Sequence, residues 1–99
     1  MVGGASYGRA VPVTEHMSEA VWQRQLAEVK VPKDPPVPVT VKSSHPGATR
    51  GGLLYGWSKD WHHGQWMGLC WFEREYAPGF WVAGGHWLFA HQITPMLSG

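Results

Sequence analysis

Between Gln65 and Leu88 the chain carries two runs of strand-like alternation, separated by Ala77-Pro78-Gly79-Phe80. Proline presets φ for the second position of a tight turn and glycine supplies the positive φ of the third, so a type II turn and an antiparallel hairpin are predicted. No other stretch constrains the fold as strongly, because both runs are apolar on both faces. Trp66, Gly68, Cys70 and Phe72 alternate with Met67, Leu69 and Trp71 on the first, while Phe80, Val82 and Leu88 oppose Trp81, Ala83 and Trp87 on the second. A strand of that kind is either covered above and below or keeps one face for a ligand. Gly84-Gly85 interrupts the second run, and a bulge or sharp bend that curls the sheet is expected there.

Upstream, Val37, Val39 and Val41 alternate with Pro38, Thr40 and Lys42, which predicts an edge strand because proline cannot donate to a central ladder. Ser43 to Gly52 reads as a loop turning at His45-Pro46-Gly47, and Leu53 to Ser58 as a further strand. Before these lies one short amphipathic helix, residues 17–31. Ser18 is its N-cap, Glu19 places negative charge in the first turn, and Met17 and Trp22 stand at staple positions. Trp22, Leu26 and Val29 form a stripe beside Val21, and Val31-Pro32 ends the helix. The helix is expected to lie over an open face of the β domain. Residues 1–16 are Gly-rich and aperiodic, predicting a flexible N-terminal arm, and residues 32–38 hold four prolines, predicting a stiff linker.

A chain of 99 residues makes one small domain with a thin core. Its net charge of +1 gives little general attraction for nucleic acid, whose non-specific binding rests on neutralising phosphates. No charged residue follows Glu75, so the carboxyl-terminal part reads as buried strands. A membrane span is not expected there, because Pro78, Gly84, Gly85, His86, His91 and Pro95 interrupt the apolar run. The amino end lacks the basic start and apolar stretch of a secretion signal, and Cys70 is the only cysteine, so a reducing, cytoplasmic setting is expected.

Asp60, His62, His63, Cys70, His86 and His91 are the residues whose types suit metal binding or catalysis. His62 and His63 are adjacent and would point to opposite sides of a strand, and no paired ligand motif accompanies them. Cys70 alternates with Trp66 and Phe72, the pattern of a buried, inert thiol. Neither a cofactor nor a catalytic residue is expected. The tryptophans carry more information. Six of seven fall between Trp57 and Trp87, more indole surface than a small domain readily buries. Trp57 and Trp71 read as core. Trp61 and Trp66 near one turn, with Tyr76 and Trp81 at the other, read as exposed binding anchors. Lys42, Arg50, Lys59 and Arg74 are candidate nucleic-acid contacts in an alternative reading, in which the aromatic rings stack on bases.

The segment His86-Trp87-Leu88-Phe89-Ala90-His91-Gln92-Ile93-Thr94-Pro95 resembles the last strand, one-turn 3₁₀ helix and closing strand of SH3-like barrels, and Leu53-Leu54-Tyr55-Gly56-Trp57 with Gln65-Trp66 resembles their earlier strands. The resemblance covers residues 37–97. It implies a mainly β fold, an SH3-like small barrel of about five strands over residues 39–97, preceded by the helix. In peptide-binding members a proline and a tyrosine of the 3₁₀ turn build a groove for proline-rich ligands. Here those places hold Phe89 and Gln92, and the eight residues between Trp57 and Trp66 leave no acidic loop. The function expected is therefore a non-catalytic protein-interaction module, binding a partner protein or a second copy of itself through exposed aromatic residues. The alternatives are a nucleic-acid-binding barrel and, less favoured, a metal- or cysteine-dependent enzyme.

Overall fold

The computed structural model of the chain describes residues 13–60 and 63–96. The fold is mainly β, with one short helix. Its elements run β1 (Val13–His16), α1 (Glu19–Ala27), β2 (Val31–Val41), β3 (Thr49–Lys59), β4 (Trp66–Ala77) and β5 (Phe80–Phe89), then a 3₁₀ turn (Ala90–Gln92) and β6 (Ile93–Pro95). The six strands form one sheet in the order β1-β5-β4-β3-β2-β6. Strands β2 to β5 are antiparallel neighbours, whereas β1 lies parallel to β5, Val13 opposite Phe80 and His16 opposite Ala83.

The hairpin is as the sequence predicts. Ala77 pairs with Phe80 across the turn, and Gly79 has φ 77°. The register shifts once between Ala77 and Glu75, and the β4–β5 ladder then runs unbroken through Phe72–Gly84 and Trp71–Gly85, so no bulge forms at the two glycines. They serve packing instead. A Cβ on Gly85 would overlap the Trp22 ring and stand 2.5 Å from Gln25 Oε1, and one on Gly84 would meet Met17 at 3.2 Å. The bare backbone is the floor on which α1 rests.

That helix starts where expected: the Ser18 hydroxyl accepts from the Val21 N–H at 3.3 Å. It ends earlier than Val31-Pro32, because Glu28 and Val29 donate back three residues and Lys30 donates to the Trp57 carbonyl, carrying the chain into β2. Nine residues are too few for a stable free helix. Trp22 anchors it, meeting Tyr55 and Trp71 edge-on with centroids 4.9 and 4.8 Å away, while Gln25 Nε2 donates to the Gly85 carbonyl at 3.0 Å.

β4 is thus covered on both sides. One face carries the main core of Val39, Val41, Leu54, Cys70, Phe72, Leu88 and Ile93, with Val37 and Trp57 packed against it. Leu69 and Ala83 are fully buried outside that cluster. Trp71 belongs to the helix side, beside Trp22 and His16, not to the main core as expected.

Four features differ from the sequence reading. Residues 13–16, placed in the flexible arm, form β1; the remainder of the arm lies outside the described residues. Residues 32–38, read as a linker, belong to β2, whose ladder with β3 breaks between Pro32 and Val37 around the prolines. β2 is also not an edge strand, since Val39–Val41 pair with β6 as Val31–Pro38 pair with β3. Finally, the sheet is open. β1 and β6 are its two edges, so a closed five-stranded barrel is not what forms. No helix among the described residues is long and apolar enough to cross a membrane.

Candidate functional site

β4 spans twelve residues, about 40 Å at the usual strand rise, and the candidate aromatic anchors stand at its two ends. Trp66 opens the strand and is 45% exposed. It pairs with Lys59, whose Nζ lies 5.3 Å from the ring centroid. With Val31, Trp57 and Ala90 it encloses a shallow depression of about 390 Å³ that no charged side chain lines. Val31 is 44% exposed, so two large apolar groups face water side by side. A broader groove of about 550 Å³ passes Lys30, Lys59, Asp60, Met67 and Trp87 between the end of α1 and the sheet. Trp61 lies outside the described residues.

At the other end Tyr76 is 67% exposed, edge-on to Phe80. Trp81 is different. The Arg50 guanidinium sits 3.8 Å above its ring, and Arg50 Nε is ion-paired to Glu73 at 2.6 Å, so one face of this indole is occupied within the chain. The structure therefore keeps Trp66 and Tyr76 as open rings and makes Trp81 part of a Trp–Arg–Glu stack.

The candidate nucleic-acid contacts do not form one stripe. Lys59 is at the Trp66 end, Arg50 is engaged by Glu73, and Arg74, paired with Thr49 and 5.5 Å from the Tyr76 ring, is at the far end. Lys42 follows β2, where its carbonyl accepts from Gln92 Nε2 at 2.8 Å. Gln92 also accepts from the Phe89 N–H at 3.0 Å through Oε1, so this residue of the 3₁₀ turn ties the turn to β2.

Cys70 is fully buried, and desolvation pushes its thiol up to about 12, which keeps it protonated and non-nucleophilic at neutral pH. Among the described residues, no three His, Cys, Asp or Glu side chains gather as metal ligands would. His91 stacks on Phe89 and His16 on Trp71.

The sequence does not mark Val31 and Ala90 as walls of the apolar depression, because Val31 before Pro32 reads as a helix stop and Ala90 as part of a turn. Their only signal is tertiary: the Lys30–Trp57 hydrogen bond brings Val31 beside β3, opposite Trp57. Compared with known proteins, the chain matches no family, no curated sequence and no solved structure.

Proposed function

We propose that the chain is a non-catalytic protein-interaction module with an SH3-like arrangement of strands, docking a partner protein or a second copy of itself on the face around Trp66. The observation that carries this reading is the pair of exposed apolar side chains, Trp66 and Val31, bordering an uncharged depression with Trp57 and Ala90. Contiguous exposed apolar surface is costly to leave in water and marks interaction sites. Tryptophan is enriched among interface anchors, and Lys59 beside the ring supplies a polar rim. The SH3-like part is supported by the meander of β2 to β5, the 3₁₀ turn at Ala90–Gln92 and the return of β6 to β2.

The test is photo-crosslinking in the native cell from a reactive analogue at position 66, with exposed Thr94 as control, alongside sedimentation over a wide concentration range. Specific adducts from position 66, to one partner or to the chain itself, are expected. Val31→Glu should weaken that association by about 2 kcal/mol, the scale of an interface hot spot. A monomer at every concentration whose position 66 crosslinks no more than position 94 would overturn the reading.

A further inference from the structure

At the opposite end of β4 from Trp66, about 26 Å along the strand, Arg74 enters a small cleft with Ser43, Ser44, His45 and His86. Its volume is about 170 Å³, with Phe72 among its walls, and no carboxylate lines it. Among the described residues the Arg74 side chain has no acidic partner, and its guanidinium stands 5.5 Å from the Tyr76 ring centroid. The carboxylates nearest in sequence are engaged elsewhere, Glu73 with Arg50 and Glu75 with the Gly79 N–H. The His86 imidazole is held by Phe72, centroids 4.9 Å apart. Both serines have their hydroxyl oxygens placed as acceptors, Ser43 Oγ from the His45 N–H at 3.1 Å and Ser44 Oγ from Gln92 Nε2 at 3.5 Å. Their O–H protons therefore remain to donate.

A permanent cation, two imidazoles and two hydroxyl donors converge on one cleft with no negative charge to balance them. We propose that this cleft is an oxyanion site that takes a single phosphate- or sulfate-type group, free or as the end of a small monoester. Arg74 supplies the charge-assisted hydrogen bonds to the oxygens, the serine hydroxyls fill the remaining acceptor directions, His45 completes the wall, and His86 adds positive charge as it protonates. Binding is linked to protons. Burial, then the positive charges of Arg74 and His45, hold His86 below its ordinary value. An anion between these groups reverses the charge effect, so occupancy favours the protonated form of His86. The titratable and charged groups facing His86 are Arg74 from β4 and His45 from the loop after β2. The site is independent of the Trp66 face.

Nuclear magnetic resonance of ring-labelled histidines, titrated with sodium sulfate against chloride of equal ionic strength, tests the site. Sulfate keeps its charge across the range, so any pH dependence belongs to the protein. Saturating shifts of His45 and His86 are expected, tightening about three- to tenfold from pH 7.5 to 5.5. Arg74→Gln should weaken binding at least about tenfold, and Trp66→Ser should leave it unchanged. Inorganic phosphate and phenyl phosphate then distinguish the sources: equal affinity assigns a free anion, tighter phenyl phosphate a monoester. If Arg74→Gln does not fold, His86→Gln must abolish the pH dependence on a folded chain. Shifts that do not saturate, or that match chloride, or that survive in the folded Arg74→Gln protein, overturn the site.

Discussion

At the scale of single residues, Gly85 shows how a backbone position is chosen by something far away in sequence. Two adjacent glycines in a strand ordinarily signal a bulge, yet the ladder runs straight through them and the missing side chains make room for Trp22 and Gln25. Gly85→Ala should therefore destabilise the fold by about 1–3 kcal/mol, the usual cost of overpacking, as a fall in the urea midpoint. An unchanged midpoint would mean that α1 is free to lift. The same lesson applies to Trp81: its indole is legible as a candidate anchor, but Arg50, 31 positions earlier, occupies one face. By contrast the burial of Cys70 was legible from alternation alone, since a residue between Gly68 and Phe72 on an apolar face must point inward.

At the scale of elements, the hairpin and the start of the helix are governed by local chemistry and were readable. Pro78-Gly79 forms its turn from its own backbone preferences, with Gly79 at positive φ, and the Ser18 hydroxyl caps the helix from three residues away. Replacing Ser18 by alanine should cost about 1 kcal/mol, with aspartate restoring most of it, measured as thermal or urea stability. Loss of the cap without loss of stability would show that α1 is held by Trp22 packing alone. Element ends were less readable. The helix stops at Ala27 because Lys30 finds the Trp57 carbonyl, a partner on another strand. The prolines at 32–38 did not prevent strand formation: Pro35 and Pro36 fall where the β2–β3 ladder breaks, while Pro32 and Pro38 stay in register opposite Gly56 and Leu53.

At the scale of the whole molecule, the two ends of β4 present different chemistry: an apolar depression at Trp66 and a cationic cleft at Arg74. Burial of His86, reinforced by the positive charges of Arg74 and His45, makes the stability depend on pH. His86 sits below the unfolded value of about 6.5, so the unfolded chain binds protons more readily over that range. Its contribution is present above pH 6.5 and is lost as pH falls through the folded value. His86 remains exposed, so the loss is small. The urea midpoint should fall from pH 7.5 to 5.5 by more in the wild type than in His86→Gln, and sulfate should narrow that difference. Equal pH dependence in both proteins would count against it.

The β character, the capped helix, the hairpin and the surplus of indoles are legible in the order of residues, because each follows from neighbours within a few positions: alternation, a hydroxyl three residues from its N–H, a proline beside a glycine. Long-range packing sets the rest: the sheet stays open between β1 and β6, residues 13–16 join β5 in parallel, Trp66 meets Val31, and Arg74 lines one cleft with His45 and His86. Those outcomes rest on pairings across tens of residues, where many partners of similar hydrophobicity compete and the winner is set by packing and backbone hydrogen bonding together.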